Sequence, residues 1–125
     1  MPTVLVVEDE PDMRFLLRLA LERGQFDVQE AATGEAALEQ MAADEPDLVL
    51  LDLNLPGMSG FDVLDRMREK GTLDRICVLM LTADARPGLT EIAEEKGSSG
   101  FLSKPVPPPE LIARVSGGIE AKGRG

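Results

Sequence analysis

The sequence predicts an α/β fold, a doubly wound five-stranded parallel sheet with helices on both faces. Three observations predict it. The runs Val4–Val7, Leu48–Leu51, Ile76–Leu81 and Phe101–Leu102 are short and lack polar alternation, the pattern of strands buried on both faces of a parallel sheet. The segments between them carry apolar residues at helical spacing. Each run also leads into a polar side chain (Glu8, Asp52, Thr82 and, after Ser103, Lys104). In an open parallel sheet that edge is where ligands bind.

Each element follows in order. After the first run, Met13, Leu16, Leu17, Ala20 and Leu21 fall on one helical face and Gly24 is the stop. Phe26–Ala31 alternates apolar and polar, as a half-exposed edge strand does. Thr33 caps a helix carrying Ala37, Leu38 and Met41, and Pro46-Asp47 precedes the second buried strand. Ser59 and Asp62 form a capping pair for a helix facing inward with Val63, Leu64 and Met67, which Gly71 ends. Pro87 suits the first turn of the next helix, with Leu89, Ile92 and Ala93 inward and Gly97 as its stop. Pro107 to Pro109 open a last helix carrying Leu111, Ile112, Val115 and Ile119, weakened near its end by Gly117-Gly118. The β-α alternation with right-handed crossovers gives one sheet covered on both faces. Because the second strand reads as an edge, the expected strand order is the flavodoxin-like 2-1-3-4-5. Residues 1–122 are expected to form one domain, with 123–125 a frayed tail.

The chain has 125 residues, enough for one domain but not two. With aromatic residues at 3% and neither Trp nor Tyr, its core must be aliphatic. The net charge of -10, from 23 acidic and 13 basic residues, argues against a nucleic-acid surface and against adhesion to anionic lipid. No apolar stretch reaches 18 residues and no leader pattern opens the chain, so a cytoplasmic location is expected. The single Cys77 lies in an apolar run and reads as a buried thiol. The absence of His removes histidine chemistry from this chain.

The strand ends carry the chemistry. Glu8, Asp9 and Asp52 would meet at one edge, where carboxylates repel, so a cation or partner must compensate them. Two carboxylates, a backbone carbonyl and further oxygens suit Mg2+. Thr82 alone reads as a strand-end hydroxyl and Lys104 alone as a surface lysine. Together with Asp52 they fit a site that accepts a phosphoryl group on a carboxylate oxygen.

Glu8-Asp9, the stretch Leu51-Asp52-Leu53-Asn54-Leu55-Pro56-Gly57-Met58-Ser59-Gly60, Leu81-Thr82-Ala83 and Lys104-Pro105 resemble the response-regulator receiver domain of two-component signalling, across nearly the whole chain. The resemblance implies a role for each match. Asp52 is the phosphoacceptor, and Glu8 and Asp9 hold Mg2+ with Asp52 and the backbone carbonyl of Asn54. Thr82 is the switch hydroxyl, Lys104 contacts the phosphoryl group, and the Lys104-Pro105 peptide is cis; Phe101 is the switch aromatic by this resemblance and, read alone, equally a core Phe on a short strand. Gly60 is the small loop residue before the third helix, and Ala83 is the small residue that leaves the site open. Glu8 stands where Asp is more usual and Ser98 where Ala is.

The expected function is therefore regulatory: Mg2+-dependent transfer to Asp52 from a histidine kinase or histidine phosphotransfer protein, catalysed only on itself. A downstream protein target would be met through the fourth helix, the Phe101 strand and the last helix, with no nucleic-acid or membrane partner. A haloacid-dehalogenase-like phosphatase would need a second acid that Asp52-Leu53-Asn54 lacks. A binding-only pseudo-receiver is disfavoured by the intact Asp52, Thr82 and Lys104.

Overall fold

The computed structural model describes residues 1–84 and 86–124. Five strands, β1 (Thr3–Val7), β2 (Asp27–Ala31), β3 (Leu48–Asp52), β4 (Cys77–Thr82) and β5 (Gly100–Ser103), alternate with α1 (Pro11–Arg23), α2 (Gly34–Ala43), α3 (Gly60–Glu69), α4 (Leu89–Glu95) and α5 (Pro108–Arg124). All pairings are parallel, in the order β2-β1-β3-β4-β5. This is the expected doubly wound sheet with β2 at one edge.

Alternation along each strand makes two cores. Leu5, Val7, Val49, Leu51, Val78 and Met80 pack on one face with Ala37 and Met41 of α2, Val63, Leu64 and Met67 of α3, and Leu89 and Ala93 of α4. Val4, Val6, Leu48, Leu50, Cys77, Leu79 and Leu81 pack on the other with Leu17, Ala20 and Leu21 of α1 and Leu111 and Val115 of α5. Each fully buried aliphatic side chain contributes about 1.5–3 kcal/mol by leaving water.

The caps are those the sequence indicates. Thr33 Oγ1 accepts from Ala36 N–H at 3.1 Å. Ser59 Oγ accepts from Asp62 N–H at 3.2 Å while Asp62 Oδ2 accepts from Ser59 N–H at 3.1 Å. The Lys104-Pro105 peptide is cis, and Cys77 is buried and free.

Three details differ from the expectation. Leu16 is 59% exposed and Ile92 41%. Leu16 lies about 100° around α1 from Leu17, past the stripe that meets the sheet, and lines an apolar recess with Val106 and Pro108. In the seven-residue α4 only Leu89 and Ala93 reach the core, and the helix starts at Leu89, with Pro87 and Gly88 in the preceding turn. A 3-10 turn at Thr72–Asp74 has no counterpart in the expected elements. The last helix, α5, is continuous to Arg124, and Gly125 lies outside the described residues. The helix keeps Gly118 for a packing reason: a Cβ there would meet Cys77 Sγ at 2.8 Å and Leu48 Cδ1 at 3.2 Å, so the glycine lets α5 approach the sheet.

Gly60 is tighter still. A Cβ there would lie 2.3 Å from the Asp52 carbonyl oxygen and 2.8 Å from Leu53 Cα. The obstacle is backbone, which cannot rotate away. Gly60→Ala is therefore expected to lower stability by about 1–3 kcal/mol through overpacking, read by urea unfolding. A loss within ~0.5 kcal/mol, the range of an inconsequential surface change, would show that this loop yields freely.

Candidate phosphoacceptor and metal site

Parallel pairing brings the strand ends to one edge. Val7 is level with Leu51, Asp52 with Leu81 and Thr82 with Ser103. The backbone ladder continues one step past the strands: Glu8 N–H donates to Ala31 O at 3.1 Å, Leu53 N–H to Leu81 O at 3.1 Å, and Lys104 N–H to Thr82 O at 2.8 Å. The residues that carry polar groups thus have fixed backbones.

Glu8, Asp52 and Thr82 are buried polar residues, at 1%, 4% and 0% exposure. Lys104 Nζ donates to Glu8 Oε2 at 2.9 Å and to Asp52 Oδ2 at 3.0 Å. The other oxygen of Asp52, Oδ1, accepts from Asn54 N–H at 3.1 Å. Asn54 Nδ2 donates to Thr82 Oγ1 at 3.3 Å, and Asp84 N–H donates to the same hydroxyl oxygen at 3.0 Å. Both bonds use Thr82 as acceptor, so among the described residues its own proton remains available to a ligand. The Asp84 carboxylate is in turn held by Arg86, which keeps it below the usual carboxylate range.

The electrostatics are unbalanced toward negative charge. Burial pushes the Glu8 carboxyl up to about 7, the hydrogen bond to Asp52 adds to the rise, and the Lys104 ammonium only partly opposes it. For Lys104, burial works against the charged form, but hydrogen bonds to Glu8 and Asp52 outweigh it and raise the ammonium above the usual lysine value.

Glu8, Asp9 and Asp52 each offer a carboxylate oxygen, and these atoms lie within 4.8 Å of one another. The donor set is oxygen only, with no Cys or His, as suits a hard divalent cation. One ammonium against two buried carboxylates and the exposed Asp9 leaves negative charge for such a cation to neutralise. The residues present fit Mg2+.

Of the residues singled out from the sequence, the structure brings Glu8, Asp9, Asp52, Asn54, Thr82 and Lys104 together. Phe101 stands apart on β5, level with Met80, half-buried against the core that holds α4. Ser98 is not inert: its hydroxyl donates to Gly100 O at 2.7 Å and lies 3.3 Å from Val78 O, tying β5 to β4. Two neighbours of the site were not anticipated. Arg14 Nη1 donates to the Glu8 carbonyl at 2.8 Å, and Arg14 Nε donates to Glu30 Oε1 at 3.1 Å. The only signal in the sequence is a basic residue one turn into the helix that follows the acidic triplet.

Known proteins resemble this chain in sequence and in fold. The family profile described as "response regulator receiver domain" matches residues 4–116. The phosphate regulon transcriptional regulatory protein PhoB of Rhizobium meliloti is 36% identical over 115 residues, covering 92% of this chain and 51% of that protein. The chain spans about half the length of the curated relatives it matches. Among solved structures, a signal receiver domain from Vibrio parahaemolyticus superposes with a TM-score of 0.93 at 30% identity, covering 98% of this chain and 93% of that one. The chemotaxis protein CheY4 of Vibrio cholerae does so at 0.88 and 28%, covering 94% and 98%.

Proposed function

The chain belongs to the response regulator receiver domain family of two-component signalling, whose members are regulatory phosphoacceptors, and on that premise we propose that Asp52 is the acceptor and that residues 1–122 act as one receiver unit. The observation that carries this reading is the buried Asp52 carboxylate, held on one oxygen by Asn54 N–H and on the other by Lys104 Nζ. The donor is a phosphohistidine on a histidine kinase or phosphotransfer protein, and it lies outside this sequence, which has no His. A carboxylate oxygen of Asp52 bonds to phosphorus as the P–N bond breaks and the imidazole leaves. Lys104 then turns its ammonium to a phosphoryl oxygen as a point charge, and Thr82 donates its free hydroxyl proton to another. Glu8, Asp9, Asp52 and the Asn54 carbonyl hold the cation. Bound Mg2+ supplies neutralisation of the charge that gathers on the transferred group.

The switch runs from Thr82 to Phe101, and the output face is α4, β5 and α5, met by a protein target. A net charge of -10 favours protein over nucleic acid for this domain, although the Rhizobium relative is itself a transcriptional regulatory protein. Among the described residues no helix is long and apolar enough to cross a membrane, and a cytoplasmic location suits a partner kinase. The test is incubation with a small acyl-phosphate donor and Mg2+. One base-labile phosphoryl group per chain is expected by intact mass, and none without Mg2+. No adduct at saturating donor would favour the binding-only reading.

The cation has its own test. At about ten times its dissociation constant Mg2+ should stabilise the fold by ~1.4 kcal/mol, a melting shift of roughly 5 °C at this chain length. Asp9→Ala should melt higher than wild type without Mg2+, because it removes one repelling charge, and should lose the Mg2+ shift. An unchanged Mg2+ response would contradict the ligand set.

A further inference from the structure

The backbone of Glu8 is held on both sides by the end of β2. Its N–H donates to Ala31 O at 3.1 Å. Its carbonyl accepts from Arg14 Nη1 at 2.8 Å, and the same guanidinium donates through Nε to Glu30 Oε1 at 3.1 Å. The second oxygen of Glu30 accepts from Arg18, so Glu30 is itself clamped by two residues of α1. The Arg14 and Glu30 side chains are only 20% and 29% exposed. β2 therefore grips the Glu8 backbone twice, at the Val7–Glu8 peptide through Ala31 and at the Glu8–Asp9 peptide through the Glu30–Arg14 relay.

The Glu8–Asp9 peptide has a special place. Its carbonyl belongs to Glu8 and its N–H to Asp9, so its orientation sets the directions in which two of the three clustered acids leave the chain. A guanidinium is a rigid fork that holds two acceptors in fixed relation, and a lysine ammonium is a point donor without that spacing. We propose that Arg14, anchored by Glu30, is a positioning residue for the divalent-cation site. This rests on the reading of Glu8 and Asp9 as cation ligands. Residues that orient metal ligands from outside typically account for 10–100-fold in metal affinity.

Charge alone predicts the opposite sign. A positive guanidinium beside an acidic site repels a cation, so its removal would tighten binding if charge were its only effect. The experiment is calorimetric titration of Mg2+ into the folded wild type, Arg14→Met and Arg14→Lys. Both variants are expected to bind Mg2+ about tenfold more weakly, Arg14→Lys failing despite its retained charge. Tighter binding by Arg14→Met, or wild-type affinity in Arg14→Lys, would overturn the proposal. A purely structural role would lower the urea midpoint and leave the affinity unchanged, which would also overturn it. If Arg14→Met does not fold, Arg14→Lys decides. Wild-type protein that takes up no Mg2+ would remove the cation site and this proposal together, a result distinct from a binding wild type with unaffected variants.

Discussion

Asp52→Ala is expected to take phosphoryl incorporation from one group per chain to none. The argument is positional. Among the acids at the sheet edge, Asp52 ends the central strand β3, lies between Glu8 and Thr82, and has one oxygen oriented by Asn54 N–H and the other by Lys104. Glu8 shares Lys104 but sits on β1's side of the edge, away from Thr82. Asp9 is exposed. Neither can present an oxygen to a group that Lys104 and Thr82 both contact. The variant removes one of two neighbouring buried carboxylates and is expected to keep the fold, checked by circular dichroism. Intact mass after donor and Mg2+ treatment reads the outcome. Stoichiometric labelling that persists in a folded Asp52→Ala protein would sink the assignment.

Lys104→Met should produce the largest loss of stability, and one that depends on pH. Without the ammonium, the Glu8 and Asp52 side chains, 2% and 5% exposed, confront each other unpaired. Breaking a buried ion pair in this way costs about 3–5 kcal/mol. Glu8 offers relief by binding a proton. Its folded value of about 7 lies above the ordinary 4.5, so the folded state holds a proton that the unfolded state has released. Stability is then fullest below 4.5 and is lost as pH rises through 7. Lys104 is the group that lowers Glu8, so its removal carries the loss to higher pH. The variant should be little weakened near pH 5 and weakened by about 3 kcal/mol near pH 8, with part recovered by Mg2+. Urea unfolding at both pH values tests this. An equal deficit at both would mean that Glu8 protonation does not offset the lost cation.

The sheet and the clustered acids were legible before the structure because one physical fact produced both. A strand buried on two faces is written as an unbroken apolar run, and such a run must stop where the chain reaches solvent at the sheet edge. Glu8, Asp52, Thr82 and Lys104 sit at those stops. The relay from Glu30 through Arg14 was not legible, because its partners lie 16 residues apart on an edge strand and a helix. Their pairing depends on how α1 crosses over the sheet, and apolar periodicity does not encode that. Leu16 and Ile92 misled for a related reason. Periodicity finds the apolar side of a helix but not how wide a strip of it the sheet can cover. Gly118 looks like a helix breaker in the chain, and only the clash that a Cβ there would make with Cys77 Sγ shows that it is a spacer.

The ladder bonds that extend past the strands at Glu8, Leu53 and Lys104 have a thermodynamic consequence. Fixing a residue's backbone costs roughly 1–2 kcal/mol of conformational entropy. At these three positions that cost is met when the sheet forms, so an arriving ion or phosphoryl group orders side chains and water but not main chain. Association at this edge should therefore show a small heat-capacity change, without the large negative value that accompanies folding coupled to binding.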